Sequence, residues 1–334
     1  MEHYRLYHDS IPPHLAACAA APCMQRLTGV GMNCGCEYTS FPRFLRLHPY
    51  SRFDHSLGVA LIVWHFTHDE KQSIAGLLHD AATPVFAHVV DFLNGDYLKQ
   101  ESTEDGTAAI LTADPVIQAV LSSLRLCTDD VCDYHRYPIA DNDSPRLSAD
   151  RLEYTLGNCL NYGIRTEEQI SAFYSDLTVG VGEDGQAELA FRTPEIARDF
   201  TAAALNCSEI YVSEEDRYAM QMLSELLKFA LSRGVLTRSD LCRDEPTVIR
   251  LLGSDAETAA RWRTYRAMRA VQTAEQPNAS GEWRRIYAKK RYIDPLILGF
   301  GRVSAYDPAL NDAIRTFLER RQDLWICAEQ AQSL

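Results

Sequence analysis

An adjacent histidine and aspartate, His79-Asp80, close the helix-forming run Gly76-Leu77-Leu78, with His55 well before them and Asp150 well after. Imidazole nitrogens and carboxylate oxygens are the mixed donor set that holds a divalent cation while leaving positions open for water and substrate. Two neutral nitrogens and two carboxylates also bring the charge on a dipositive ion close to zero. This donor set suits Mn, Fe, Co, Ni, Mg or Zn alike, so the expected cofactor is one divalent metal ion. His88 and Asp91 stand at i, i+3 and share a face of the helix expected there. They either move protons, the carboxylate fixing the imidazole tautomer, or form a hydrogen-bonded pair that supports the metal ligands. Arg52 and Arg151 flank the metal donors and would bring permanent positive charge shaped to a phosphate.

The text around these residues carries a resemblance. Arg52 to Gly58, Leu77 to His88 and Ala149 to Tyr154 follow in order the phrases of the HD-domain superfamily of metal-dependent phosphohydrolases, and the flanking residues are similar to its deoxynucleoside-triphosphate triphosphohydrolase-like branch. The resemblance covers about residues 24–160. It implies a mainly α-helical HD-domain bundle, hydrolysis of a nucleotide or related phosphate ester or anhydride, and metal ligation by His55, His79, Asp80 and Asp150. It also implies phosphate contacts from Arg52 and Arg151, a Tyr154 lying against substrate, and assembly into homo-oligomers. Two positions depart from the pattern. Thr83 stands where many relatives carry a further histidine, and Gln100-Glu101 where they carry a His-Glu pair. Those departures keep open a second reading, an HD-fold nucleotide sensor or scaffold with weak or no turnover.

The elements that must position these groups are legible nearby. Ser51-x-x-Asp54 is a capping box opening an all-round apolar helix, with His55 in its first turn. Asp69 to Leu78 reads as the next helix and ends at His79-Asp80. Thr83-Pro84 reads as an N-cap followed by proline at the first helical position, opening a helix from Val85 to Leu93. Ser148 caps a helix that carries Asp150 and Arg151 in its first turn. Beyond it, two alternating runs around Asp184-Gly185 predict a β-hairpin, and helices follow to the end. The organisation expected is a leading segment (1–23), a metal-binding core (24–160) and a C-terminal part with the hairpin and helices (161–334).

Composition limits the alternatives. The chain has 334 residues, 46% of them hydrophobic and 24% charged, as a globular protein has. A net charge of −13 argues against broad nucleic-acid binding, because phosphate backbones reward basic surfaces. A small anionic substrate in a local basic pocket is compatible with it. The basic run Arg284, Arg285, Lys289, Lys290, Arg291 reads as a solvated helix face in preference to a polyphosphate or effector site. Ten scattered cysteines read as reduced thiols rather than a disulfide framework. The leading segment has the features of neither a signal peptide nor a transmembrane span, which gives a cytoplasmic expectation.

Overall fold

Helices α1 (Arg52–Thr67) and α2 (Glu70–Leu78) form an antiparallel pair at the centre of the molecule. The computed structural model describes residues 3–94, 106–278 and 281–329, with the side chains of residues 3, 4, 91 and 94 outside that description. In α1 the eight residues from Ser56 to Val63 are all buried, as the all-round apolar text requires. Its start is the expected capping box: Ser51 Oγ accepts from the Asp54 amide at 3.2 Å, and Asp54 Oδ2 accepts from the Ser51 amide at 2.9 Å. Asp69 caps α2 through the Gln72 amide at 3.0 Å.

The expected helix from Val85 to Leu93 is shorter. Helix α3 spans Val89–Asn94, and Phe86 and Ala87 before it hold left-handed φ values of 58° and 46°. Two contacts explain the late start. The Thr83 hydroxyl donates to Asp80 Oδ1 at 2.5 Å instead of capping, and the Val85 amide donates to the Leu241 carbonyl at 2.8 Å instead of entering a helix. His88 therefore lies in the turn ahead of α3, not one turn along it from Asp91.

Helix α4 (Ala149–Asn161) packs across α1, with Ser148 accepting from the Arg151 amide at 3.3 Å as its cap. Helices α5 (Pro194–Tyr211) and α6 (Glu214–Ser232) follow the hairpin of β1 (Leu177–Val181) and β2 (Ala187–Phe191), whose register pairs Leu177 with Phe191 and Val181 with Ala187. The sheet content exceeds the expectation. Strand β2 also pairs in parallel with β5 (Leu296–Ile297), which pairs with β6 (Gly301–Arg302). A second sheet joins β3 (Val271–Ala274) and β4 (Arg284–Arg285) to β7 (Trp325–Ala328). The architecture is mainly α with these two small sheets and a helical C-terminal part.

Two large apolar clusters, and a small third of Val212, Ala288 and Phe317, fill the interior among the described residues. One joins Tyr7, Leu15 and Cys18 of the leading segment to α1, α2, α4 and the hairpin; the other gathers Phe41, Phe86 and α6 around Trp262 and Tyr265. The ten cysteines are free thiols, and no described helix is long and apolar enough to cross a membrane.

Gly58 of α1 faces α4 so closely that a Cβ there would sit 2.6 Å from Glu153 Cγ and Oε1. In an exposed helix, Gly→Ala is worth up to about 1 kcal/mol of added stability. Here the sign reverses: Gly58→Ala is expected to cost about 1–3 kcal/mol through overpacking. Urea denaturation of the two proteins checks this, and an unchanged or raised midpoint would refute the packing argument.

Candidate metal centre

The expected metal donors all sit at helix ends, where side chains leave the packed barrel of the helix and reach a cleft. His55 lies in the first turn of α1, His79 is the C-cap of α2 with Asp80 directly after it, and Asp150 is in the first turn of α4. One ligand atom each from His55, His79 and Asp80 falls within a sphere of mutual distances under 4.8 Å, and all three residues are buried. Asp150 joins them: its Oδ1 is 3.0 Å from His55 Nε2 and 3.6 Å from His79 Nε2. Asp80 Oδ2 is 3.8 Å from His55 Nε2 and 3.5 Å from His79 Nε2. Atoms bonded to one ion at about 2.0–2.2 Å are about 3.0–3.6 Å apart in octahedral or tetrahedral arrangements, so this spacing fits a single divalent cation.

The outer hydrogen bonds aim the donors. His79 Nδ1 lies 2.7 Å from the Gly76 carbonyl, which can only accept, so the proton sits on Nδ1 and the Nε2 lone pair faces the cluster. His55 Nδ1 is 2.6 Å from Glu153 Oε2, with the same consequence for its Nε2. Glu153 is completely buried and also accepts from Tyr50 Oη at 2.5 Å and Tyr7 Oη at 3.2 Å. Asp80 takes the Thr83 hydroxyl on Oδ1 and an Arg52 Nη1–H at 3.3 Å on Oδ2. Thr83, which replaces a histidine of the resembling pattern, thus supports a ligand carboxylate.

The electrostatics follow. Burial opposes the charged form of Asp80, but Arg52, His79, His55 and the Thr83 hydroxyl outweigh it and hold the carboxyl far below the usual range. Burial likewise opposes charge on His55, yet its hydrogen bonds to Asp150 and Glu153 push the imidazole up to about 10. The Asp150 and Glu153 carboxylates that raise it favour positive charge at this point, which a bound cation would supply in place of the Nε2 proton.

The cluster opens into a cavity of about 340 Å³. Arg52, His88, Arg151 and Tyr154 line it together with all four metal donors. Arg151 is committed to protein contacts: Nε donates to the Arg146 carbonyl at 2.7 Å, Nη2 bonds Asn142, and Nη1 lies 3.1 Å from Asp141. The Asp91 side chain and Gln100-Glu101 lie outside the described residues. A larger hollow of about 530 Å³ beside Tyr218, Arg261 and Tyr265 includes none of the donors.

Sequence reasoning missed four contributors. Glu153 lies inside the Ala149–Tyr154 phrase with no role assigned to it, and the glycine opposite it at position 58 is the one signal of its place. Asp216, in the first turn of α6, also lines the cavity, as do Lys289 and Arg291. The last two correct the reading of the basic run as a solvated helix. Its residues form β4 and an extended stretch; Arg284 pairs with Glu225 at 2.8 Å, and Arg285 stacks over Trp325 at 5.1 Å.

No family model matches the chain. It is 26% identical over 233 residues to the uncharacterized protein YdhJ of Bacillus subtilis, a match covering 69% of this chain and 67% of that one. It is also 26% identical over 155 residues to the metal-dependent phosphohydrolase cns2 of Cordyceps militaris, covering 46% of this chain and 43% of the fungal protein, so the match spans less than half of that relative. The crystal structure of a phosphohydrolase from Bacteroides thetaiotaomicron superposes with a TM-score of 0.67 at 15% identity, over 96% of this chain and 97% of that one. The chain has the fold of that phosphohydrolase and carries a buried His/His/Asp cluster arranged for one divalent ion.

Two outcomes are expected. Asp80→Ala abolishes stoichiometric divalent-metal retention measured by elemental analysis, and Glu153→Gln weakens metal affinity about 10–100-fold, as loss of a ligand-orienting partner does. A third outcome concerns Asp216, whose carboxyl burial raises to about 7 against the Cys36 thiol, Arg217 and Arg43, which lower it. The folded state then holds a proton that the unfolded chain releases. Its contribution to stability is full below about pH 4 and is lost as pH rises through about 7. Asp216→Asn should flatten that part of the stability profile; an unchanged slope in urea titrations would show that the carboxyl is not the source.

Proposed function

We propose that this chain is a metal-dependent phosphohydrolase acting on a nucleotide or related phosphate ester or anhydride, in the manner of the triphosphohydrolase-like branch of the HD-domain superfamily. The observation that carries the reading is the cluster of His55, His79 and Asp80, with Asp150 hydrogen-bonded to His55, in the wall of a cavity that also holds arginine side chains. The name of the fungal relative, a metal-dependent phosphohydrolase, supports the same chemistry. A bound divalent ion supplies Lewis acidity, acidifying water and offsetting charge on a phosphoryl oxygen.

The residues divide the remaining work. Arg52, fixed by Asp80, brings cationic charge to the phosphoryl group without needing to reorganise. Tyr154 stands one turn beyond Asp150 on α4 and presents a ring to the body of the substrate. Its hydroxyl is pushed up to about 12, first by burial and then by the Asp150 charge, so it stays a protonated donor at neutral pH. Arg151 fastens the 141–146 loop against the start of α4 and adds charge to the cavity from that position. His88 returns a proton to the leaving oxygen as the phosphorus–oxygen bond breaks and water adds to phosphorus. Assembly of this chain into homo-oligomers and residence in the cytoplasm accompany this reading as proposals.

The test is phosphate or tripolyphosphate release by purified protein supplied with Mn, Mg, Co or Ni against a panel of nucleotides. Metal-dependent turnover is expected, absent in Asp80→Ala and reduced about 10²–10⁴-fold in kcat for His88→Ala. Nucleotide binding with no metal-dependent release under any ion would replace this reading with that of a sensor or scaffold.

A further inference from the structure

We propose that Lys289 and Arg291 form an anion subsite within the cavity, separate from the metal donors, that takes a second anionic group of the substrate. The inference rests on the phosphohydrolase reading for the position of the first group. It assigns substrate selection to a part of the chain more than a hundred residues beyond the last metal donor.

The local backbone makes the pair. Residues 286–295 form neither helix nor turn, and burial alternates from Arg285 to Lys289, with Ile286 and Ala288 inside and Tyr287 and Lys289 outside. Lys289 and Arg291 face the cavity, whereas Lys290 between them faces away and donates to the Leu318 and Arg320 carbonyls. Fixed partners clamp the stretch on both sides. The buried Arg217 guanidinium holds the Ile286 carbonyl, and the Ala288 amide donates to Gln322 Oε1 at 2.8 Å. Beyond the pair, the Asp294 amide donates to the Pro145 carbonyl at 2.8 Å, and Asp294 Oδ1 accepts from the Ser304 amide at 2.9 Å. A backbone strap held this way brings Lys289, which is exposed, and Arg291, which is half-buried, to a set place on the cavity wall, which is what a binding subsite requires.

The charge balance of the cavity points the same way. Arg52 is matched by Asp80 and Arg151 by Asp141. Arg291 has no ion pair with a carboxylate among the described residues, in a chain where acidic residues outnumber basic ones 46 to 33. Its charge is felt at the Tyr154 hydroxyl, where it opposes the effect of Asp150. Tyr154 lies four residues, about 6 Å, along α4 from Asp150. The cations are therefore near the metal donors but not among them, a separation that suits a phosphate or carboxylate attached to the attacked phosphoryl group. A guanidinium and an ammonium together can meet such an oxyanion with several charge-assisted hydrogen bonds.

The experiment compares pyrophosphate, which carries two anionic groups, with orthophosphate, which carries one, by isothermal titration calorimetry in saturating Mg. Wild type should bind pyrophosphate at least tenfold more tightly than orthophosphate. Lys289→Gln/Arg291→Gln should remove that preference while changing orthophosphate affinity less than twofold, and Arg291→Lys should retain most of it. Arg285→Gln, on the same strap but stacked on Trp325, should behave as wild type. A preference that survives in the double variant, or no preference in wild type, overturns the subsite. Because the readout is binding, the two readings fail separately: a protein that shows the preference but hydrolyses no phosphate compound retains the subsite and loses the enzymatic assignment.

Discussion

A carboxylate taken wholly out of water is tolerable only when hydrogen bonds and a cation replace its hydration. Glu153 is in that position, and its replacements come from three distant parts of the chain: Tyr7 of the leading segment, Tyr50 of the approach to α1, and His55 in α1 itself. The glycines that face it and its partners are part of the same arrangement. Gly58 leaves space for the Glu153 side chain, and a Cβ at Gly157 would fall 2.5 Å from Tyr50 Oη. Folding the interior and aiming His55 at the cation site are thus one event, since the hydrogen bond that Glu153 accepts from Nδ1–H is what leaves Nε2 facing the cluster.

The same economy appears at the other donors. Asp80 is held by Thr83 on one oxygen and Arg52 on the other, so the groups that steady the carboxylate also shape the turn after α2 and bring positive charge to the cavity. Asp150 is introduced by a capped helix start whose next residue, Arg151, binds the preceding loop. Rigid support of this kind keeps ligand atoms within the narrow tolerances that a metal centre requires. It also reconciles a strongly acidic chain with the proposed anionic substrate, because arginines are fixed in the cavity walls beside the carboxylates.

Where the text of the chain predicted structure well, the signal was local. Ser51, Asp69 and Ser148 start helices because each cap is an i to i+3 hydrogen bond, decided by residues adjacent in sequence. Where it failed, a distant group had taken the local one. Thr83-Pro84 carries a sound start signal, but Asp80 captures the hydroxyl and Leu241 captures the next free amide, so α3 begins at Val89. The basic run at 284–291 failed likewise: pairing with β7 and the clamps at Ile286 and Ala288 extend a stretch that charge pattern alone assigns to a helix.

The amino-acid text by itself determined the capped helices and the hairpin, and it singled out His55, His79 and Asp80, which the fold gathers beside Asp150, since those rest on neighbouring residues or on motif order. Only the tertiary structure decided that Glu153 stands behind His55, that Arg151 is committed to the 141–146 loop, and that Lys289 and Arg291 line the same cavity as the cluster. The physical reason is that a buried charge or a fixed cation is defined by its partners, and here those partners are brought from far along the chain by packing that no local window contains.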